Sequence, residues 1–289
     1  TTTTGTTALA ADSTAAGTAE VAVDRPAGAV VEDPASRAEF KERELGRRVF
    51  PTDVGQLTLA TPADAAFARR YTEYRSVRRF GVAPVPAEAL GLLLATLSRR
   101  EVEGRPKFQY GSAGGTYPVQ TYLYVKPGRV AGVPGGAYYH DPATHRLVAL
   151  GPDRELSPDA YDYFVNRPVY EEAAFAVFLV AQLAAIEPLY PEQSAAFCAI
   201  EAGAMAQLLI MAAPGYGLGL CGIGSLDTDP AALFDLEPTH RLIYSLVGGG
   251  LPGQPGATAE ATPPVEATPT GGTTPADATT GTETITVEI

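Results

Sequence analysis

Three guanidiniums and a hydroxyl fall within five positions at Arg75-Ser76-Val77-Arg78-Arg79. Arginine offers a planar fork of donors that suits phosphate, and serine adds another donor, so this cluster could grip an anionic tail. A solvated basic turn would have the same composition. A second candidate is Tyr110-Gly111-Ser112-Ala113-Gly114-Gly115-Thr116-Tyr117-Pro118, a glycine-rich turn that lacks the Gly-Lys-Ser/Thr ending of a P-loop. Its glycines suit backbone positions with φ above zero. A third, Gly217-Leu218-Gly219-Leu220-Cys221-Gly222, spells GxGxxG. A dinucleotide fingerprint leaves a strand, opens a helix and meets an acid about 20 positions later. Here Pro214 and a helical run come first, and Asp227 and Asp229 arrive too soon. Such a stretch instead lets backbone approach something large and flat.

Cys198 and Cys221 form no CxxC, and His140, His145 and His240 are the only histidines, so neither a disulfide scaffold nor a metal site is expected. The cysteines read as small buried apolar residues. Glu201 stands in an apolar helical run, where a carboxylate needs a partner; it is expected to hydrogen-bond the facing backbone.

The elements that must position these residues follow from periodicity. Pro86 can open a helix in which Leu90, Leu93, Leu94 and Leu97 form one buried stripe, running to about Arg100. Val119 to Val125 alternates with period two, residues 137–140 and 146–150 flank a turn, and Ala174 to Ala181 is a continuous apolar strand covered on both faces. Gln193 to Met211 is helical and apolar nearly all round, which predicts burial in the protein or in a subunit interface. A short helix over 230–236 and a last strand over 241–247, ahead of Gly248-Gly249-Gly250, complete the set. Without regular βαβ spacing, the pattern favours an α+β sandwich.

The 289 residues divide by composition. Every aromatic side chain lies between Phe40 and Tyr244, and the flanks are Thr, Ala, Gly, Pro and acids. Such flanks cannot bury enough apolar surface to offset the entropy of ordering. Residues 1–36 and 252–289 are therefore expected to be disordered linkers around a folded domain over 37–251. Residues 1–39 and 245–289 hold eleven acids and two bases, leaving a middle with 22 acids and 19 bases. That near-neutral middle argues against nucleic-acid binding. The apolar runs are too short or too interrupted for a bilayer span, and no cationic-then-apolar leader is visible, so a cytoplasmic protein is expected.

The Arg/Ser cluster, then S-A-G-G-x-Y-P before a strand, then E-A-G-x-x-x-Q in a helix, then G-L-G-L-C-x-I-G, resemble the nitroreductase superfamily in type and order. Within it the chain resembles the SagB-type azoline dehydrogenase branch. Ala38 to Gly249 is similar to oxidase domains embedded in nonribosomal peptide synthetases. The resemblance implies a central, mostly antiparallel sheet with flanking helices, homodimeric, with FMN at the subunit interface. It places Arg75, Ser76 and Arg78 on the phosphate and ribityl end, and Ser112, Ala113, Gly114 and Gly115 against the cofactor, often from the partner subunit. Gly222, Ile223, Gly224 and Ser225 would present backbone beside the ring. The tails then make sense as inter-domain linkers.

The implied reaction oxidises a thiazoline or oxazoline, borne by a peptidyl carrier domain, to the thiazole or oxazole. Hydride goes to flavin N5, and dioxygen reoxidises the flavin. Tyr190 is the implied base. A tyrosine hydroxyl is almost wholly protonated at neutral pH, so the site must activate it or use it as a relay. Asn166, Glu187 and Glu201 are candidate assistants. Two positions depart from the branch: Tyr74 stands where relatives have Arg, and Leu189 where they have Lys ahead of the tyrosine. Two other readings stay open, an NAD(P)H-dependent nitro or quinone reductase and a catalytically degenerate docking module.

Overall fold

A computed structural model describes residues 33–43, 71, 75–151, 154–224, 226–227 and 229–253. The chain forms two compact units, Thr1–Pro62 and Ala63–Ile289. In the first, α1 (Pro34–Glu42) is capped by Asp33, whose carboxylate accepts from Ser36 N–H at 2.7 Å. Pro34 takes the first helical turn, where its missing N–H costs nothing. The helix buries none of its residues, and it begins within the stretch read as linker.

The second unit runs β1 (Val85–Pro86), α2 (Ala87–Leu94), β2 (Arg100–Val102), β3 (Arg105–Lys107), β4 (Val119–Val125), β5 (Val130–Ala131), β6 (Gly136–Asp141), β7 (Arg146–Gly151) and α3 (Arg167–Glu172). It continues with β8 (Phe175–Gln182), α4 (Ser194–Ala212), β9 (Leu218–Ile223), α5 (Ala231–Phe234) and β10 (His240–Gly250). Six strands make one sheet in the order β7-β6-β4-β8-β10-β9, each neighbouring pair antiparallel. This is the α+β sandwich that the sequence pattern favours, with the mostly antiparallel sheet that the resemblance implies.

Both faces of the sheet are covered. Alternation along β8 sends Phe175, Val177, Leu179 and Ala181 into a core with Leu90, Leu93, Leu94 and Leu97 and with Cys198, Ala202, Met205 and Leu209 of α4. Ala176, Phe178 and Val180 point the other way, into a core with Tyr122, Tyr170, Cys221 and Phe234. Ser194–Tyr216 is the one stretch among the described residues long and apolar enough to cross a bilayer. In this fold it packs on the sheet through Cys198, Ala202, Met205 and Leu209.

Two boundaries differ from the sequence reading. The helix expected to reach Arg100 ends at Leu94, tightens to a 3₁₀ turn over Ala95–Leu97, and gives way to β2. The Thr96 hydroxyl donates to Leu93 C=O at 2.7 Å, a local bond that competes with continued helix. The last strand continues through Gly248-Gly249-Gly250 instead of stopping before it. Those glycines admit neighbours: a Cβ on Gly248 would sit 2.5 Å from Leu220, and one on Gly249 3.0 Å from Phe80.

Candidate functional site

The segment from Arg75 to Gly81 lies beside the sheet edge formed by β9. Val77 N–H donates to Leu220 C=O at 2.9 Å, and Gly81 N–H to Gly250 C=O at 2.8 Å. Gly219 is what lets the segment approach, since a Cβ there would fall 2.6 Å from the Val77 side chain. Phe80 is buried and Ser76 half-buried, while Arg75 and Arg78 are exposed. Of the three guanidiniums, Arg79 is spent on an ion pair with Glu172, whose carboxylate also accepts Phe80 N–H at 3.2 Å. Glu172 lies far along the chain, so nothing in the local spacing pointed to it. Among the described residues no ion pair engages Arg75 or Arg78. Arg78 stands near Cys221: burial pushes that thiol up, and the guanidinium pulls against it. Cys198 is likewise buried and raised by burial, so neither cysteine is an activated nucleophile.

The β9 positions fare differently from one another. A Cβ on Gly222 would collide with the Tyr244 hydroxyl at 1.9 Å, and the Ile223 side chain is 1% exposed, in the core. Gly224 is exposed, with open space where a Cβ would point. Ser225 and Tyr74 lie outside the described residues.

Ser112, Ala113, Gly114 and Gly115 form the expected turn, with Ala113–Gly115 in a 3₁₀ turn leading towards β4. Gly114 and Gly115 take φ of 60° and 66°, and Tyr117 takes 48°. The turn is braced from inside. Tyr117 N–H donates to Ser112 Oγ at 2.8 Å, and Val119 N–H to Glu201 Oε1 at 3.1 Å, which is the backbone partner expected of that buried carboxylate. Burial pushes the Glu201 carboxyl above its ordinary range, and hydrogen bonds from the Ser112 side chain and Val119 N–H pull against this.

Tyr190 meets this turn. A Cβ on Gly114 would lie 2.9 Å from the Tyr190 hydroxyl, so only glycine permits the contact. The Tyr190 ring stands edge-on to Phe197 with centroids 5.1 Å apart. Leu189, the neighbour of Tyr190, is 61% exposed. Of the candidate assistants, Glu201 is bound to the turn's far arm, Glu187 is exposed, and Asn166 precedes α3, its N–H donating to Asp162 Oδ2 at 3.1 Å. Close to the turn, Phe108, Tyr110, Tyr117, Thr121 and His140 help line a cavity of about 120 Å³. His140 hydrogen-bonds the His145 ring at 3.2 Å, and among the described residues its buried Nδ1 has no partner.

The expected site residues thus gather in two clusters. Arg75, Ser76 and Arg78 lie with β9 at the sheet edge, and Ser112–Gly115 and Tyr190 lie at the start of β4. Strands β8 and β10 separate β4 from β9, which is about 14 Å at the usual strand spacing.

Residues 71–249 match a family model described as nitroreductase family. Indigoidine synthase from Dickeya dadantii is 30% identical over 146 residues, covering 50% of this chain and 9% of the synthase. Indigoidine synthase from Streptomyces lavendulae is 29% identical over 137 residues, 47% of this chain and 9% of its own. The chain therefore spans under a tenth of these curated relatives. Among solved structures, the Escherichia coli microcin synthetase McbBCD complex with truncated pro-MccB17 aligns with a TM-score of 0.60 at 14% identity, over 77% of this chain and 85% of that one.

Proposed function

The chain belongs to the nitroreductase family, and from that premise we propose that it is an FMN-dependent oxidase converting a carrier-bound thiazoline or oxazoline to the aromatic azole. The observation that carries this reading is the meeting of Tyr190 with Gly114, which joins the candidate base to the turn assigned to the cofactor across 75 intervening positions. The match to 9% of each indigoidine synthase supports a place within a longer synthase, and the reading takes a peptidyl carrier domain as partner.

The residues present suit FMN. Arg75 and Arg78 are exposed on a segment whose backbone is tied to β9, so their forks are free to take a phosphate, with Ser76 as a further donor. Gly115 and Gly224 have open space where a side chain would stand, leaving backbone accessible to a flat ring. Bound there, FMN would supply a two-electron acceptor.

Aromatisation removes a proton from the α-carbon and a hydride from the β-carbon of the azoline ring. The neighbouring imine and carbonyl acidify the α-proton, and the Tyr190 hydroxyl is the group positioned to receive or relay it. Phe197 and Gly114 fix the Tyr190 ring from two sides, which limits the orientations the hydroxyl can take.

The reading includes a second copy of this chain. The two clusters lie on different parts of one subunit, and α4 turns Ala195, Ala196, Ala199, Ile200 and Gly203 to the outside, Ile200 being 69% exposed. An outward face of small and apolar residues suits close helix packing between copies.

The test is a visible spectrum of the purified chain with FMN, followed by anaerobic addition of an azoline thioester. Bleaching of the flavin with azole formation is expected. Bleaching by NADPH and none by the azoline would replace this reading with a reductase. A chain that binds no FMN would replace it with a docking module.

A further inference from the structure

We propose that Glu201 is a positioning residue: by holding both arms of the S-A-G-G turn, its buried carboxylate sets the shape that the turn offers to a bound flavin. The consequence for flavin rests on the function proposed above, whereas the latch itself is a property of this chain alone.

Glu201 is 1% exposed on a helix whose other buried positions are Ser194, Cys198, Ala202, Met205, Ala206, Leu209 and Ile210. An alkyl side chain would fill that place at less cost, because a buried carboxylate faced only by neutral donors gives up much of its hydration. What the carboxylate supplies instead is acceptor capacity at one point. One oxygen takes the N–H of Val119, the first residue of β4, and the same carboxyl interacts with the side chain of Ser112, the first residue of the turn. Ser112 Oγ in turn accepts Tyr117 N–H. Val119 at the exit of the loop is therefore bonded to Glu201 directly, and Ser112 at its entry lies within electrostatic reach of the same carboxyl.

Between these two ties lie three left-handed residues within four positions, Gly114, Gly115 and Tyr117. Tyrosine rarely adopts such a backbone, and it persists only where its surroundings over-determine it. Gly114 also carries the contact with the Tyr190 hydroxyl. Loss of the latch would release the turn and, with it, the surface against which Tyr190 is set.

The experiment compares Glu201→Leu and Glu201→Gln with the wild type by amide hydrogen exchange and by FMN titration. Glutamine can still accept from Val119 N–H and can donate to Ser112 Oγ. In Glu201→Leu, protection at Tyr117 and Val119 should fall at least tenfold while Val177 and Leu179 in β8 stay within twofold. FMN affinity should fall at least tenfold, and Glu201→Gln should restore both to within threefold. Unchanged exchange at Tyr117 and Val119 would overturn the proposal, as would an equal loss throughout β8, which marks general destabilisation. Should Glu201→Leu fail to fold, Glu201→Met, closer in shape and equally without an acceptor, takes its place: faster exchange at Val119 and Tyr117 with Val177 and Leu179 unchanged supports the latch, and unchanged exchange at Tyr117 overturns it. A wild type that binds no FMN defeats the flavin reading and leaves the exchange result to judge the latch. A wild type and Glu201→Leu that bind FMN equally defeat this inference alone.

Discussion

Around Arg75 and Arg78 the chain is pinned by its backbone and leaves its charged side chains to solvent, whereas around Ser112–Gly115 the half-buried Ser112 and the buried Glu201 side chains hold the backbone itself. The contrast follows from what each cluster has to present. A guanidinium reaches a phosphate on a long flexible stem, so it needs only an anchored base and freedom from other partners. A backbone turn presents its own N–H groups, so it must be rigid before a ligand arrives, and rigidity at left-handed residues has to come from surrounding contacts.

The comparison can be broken most sharply at the exposed cluster. Replacing Arg75 and Arg78 together with Glu should weaken FMN binding roughly 1,000-fold, about 4 kcal/mol, because two charge-assisted contacts become repulsive. Urea stability should move by no more than about 0.5 kcal/mol, as for surface positions generally. Equal losses in both measurements would show that these arginines hold the fold.

Acid should act on the buried side alone. Burial, and then the neighbouring His145, lower the His140 pKa from 6.5 to about 4, with Asp141 opposing. The unfolded chain then takes the proton more readily than the folded one. Stability from this group is complete above about pH 6.5 and declines as pH falls towards 4, reaching a loss of about 2–3 kcal/mol at pH 4.5. Urea melts at pH 7 and 4.5 should show this loss in the wild type and a smaller one in His140→Gln; parallel curves would refute the assignment.

A smaller effect is expected at the glycine that joins turn and tyrosine. Gly114→Ala combines a φ of 60° with a Cβ 2.9 Å from the Tyr190 hydroxyl, and should cost about 1–2 kcal/mol. Its azoline oxidation should fall further than that stability loss explains, as should that of Tyr190→Phe, which keeps the ring contacts and removes only the hydroxyl. Unchanged turnover in Tyr190→Phe would take Tyr190 out of the mechanism. The least effect belongs to Arg79→Ala, which breaks the largely exposed pair with Glu172. A change of at most about 1 kcal/mol in stability is expected, with FMN affinity within about twofold. A tenfold loss of affinity would return Arg79 to the phosphate cluster.

Much of the fold is legible in the amino-acid sequence. The stripe of Leu90, Leu93, Leu94 and Leu97, the alternation along Val119–Val125 and the apolar run of β8 each carry their period in consecutive residues, and each forms as expected. The glycine-rich turn also announced itself, because positive φ is a local demand. Helix α2 was harder to bound, since Thr96 closes it by a single side-chain bond that periodicity does not register. The partners of Arg79, Gly219 and Gly222 were not legible at all: Glu172, Val77 and Tyr244 meet them only after the strands have paired.

Sequence alone determined the longest helix and five of the six strands of the sheet, β9 being the one it missed, together with which residue types could grip an anion and that Glu201 must find a hydrogen-bond partner, because these depend on near neighbours and on the cost of burying charge. Tertiary structure decided which arginines remain available, that the partner of Glu201 is the arm of the turn, and that Tyr190 rests on Gly114. Those outcomes depend on contacts between residues far apart in the chain, and strand order and register, not local preference, choose which distant groups come within reach.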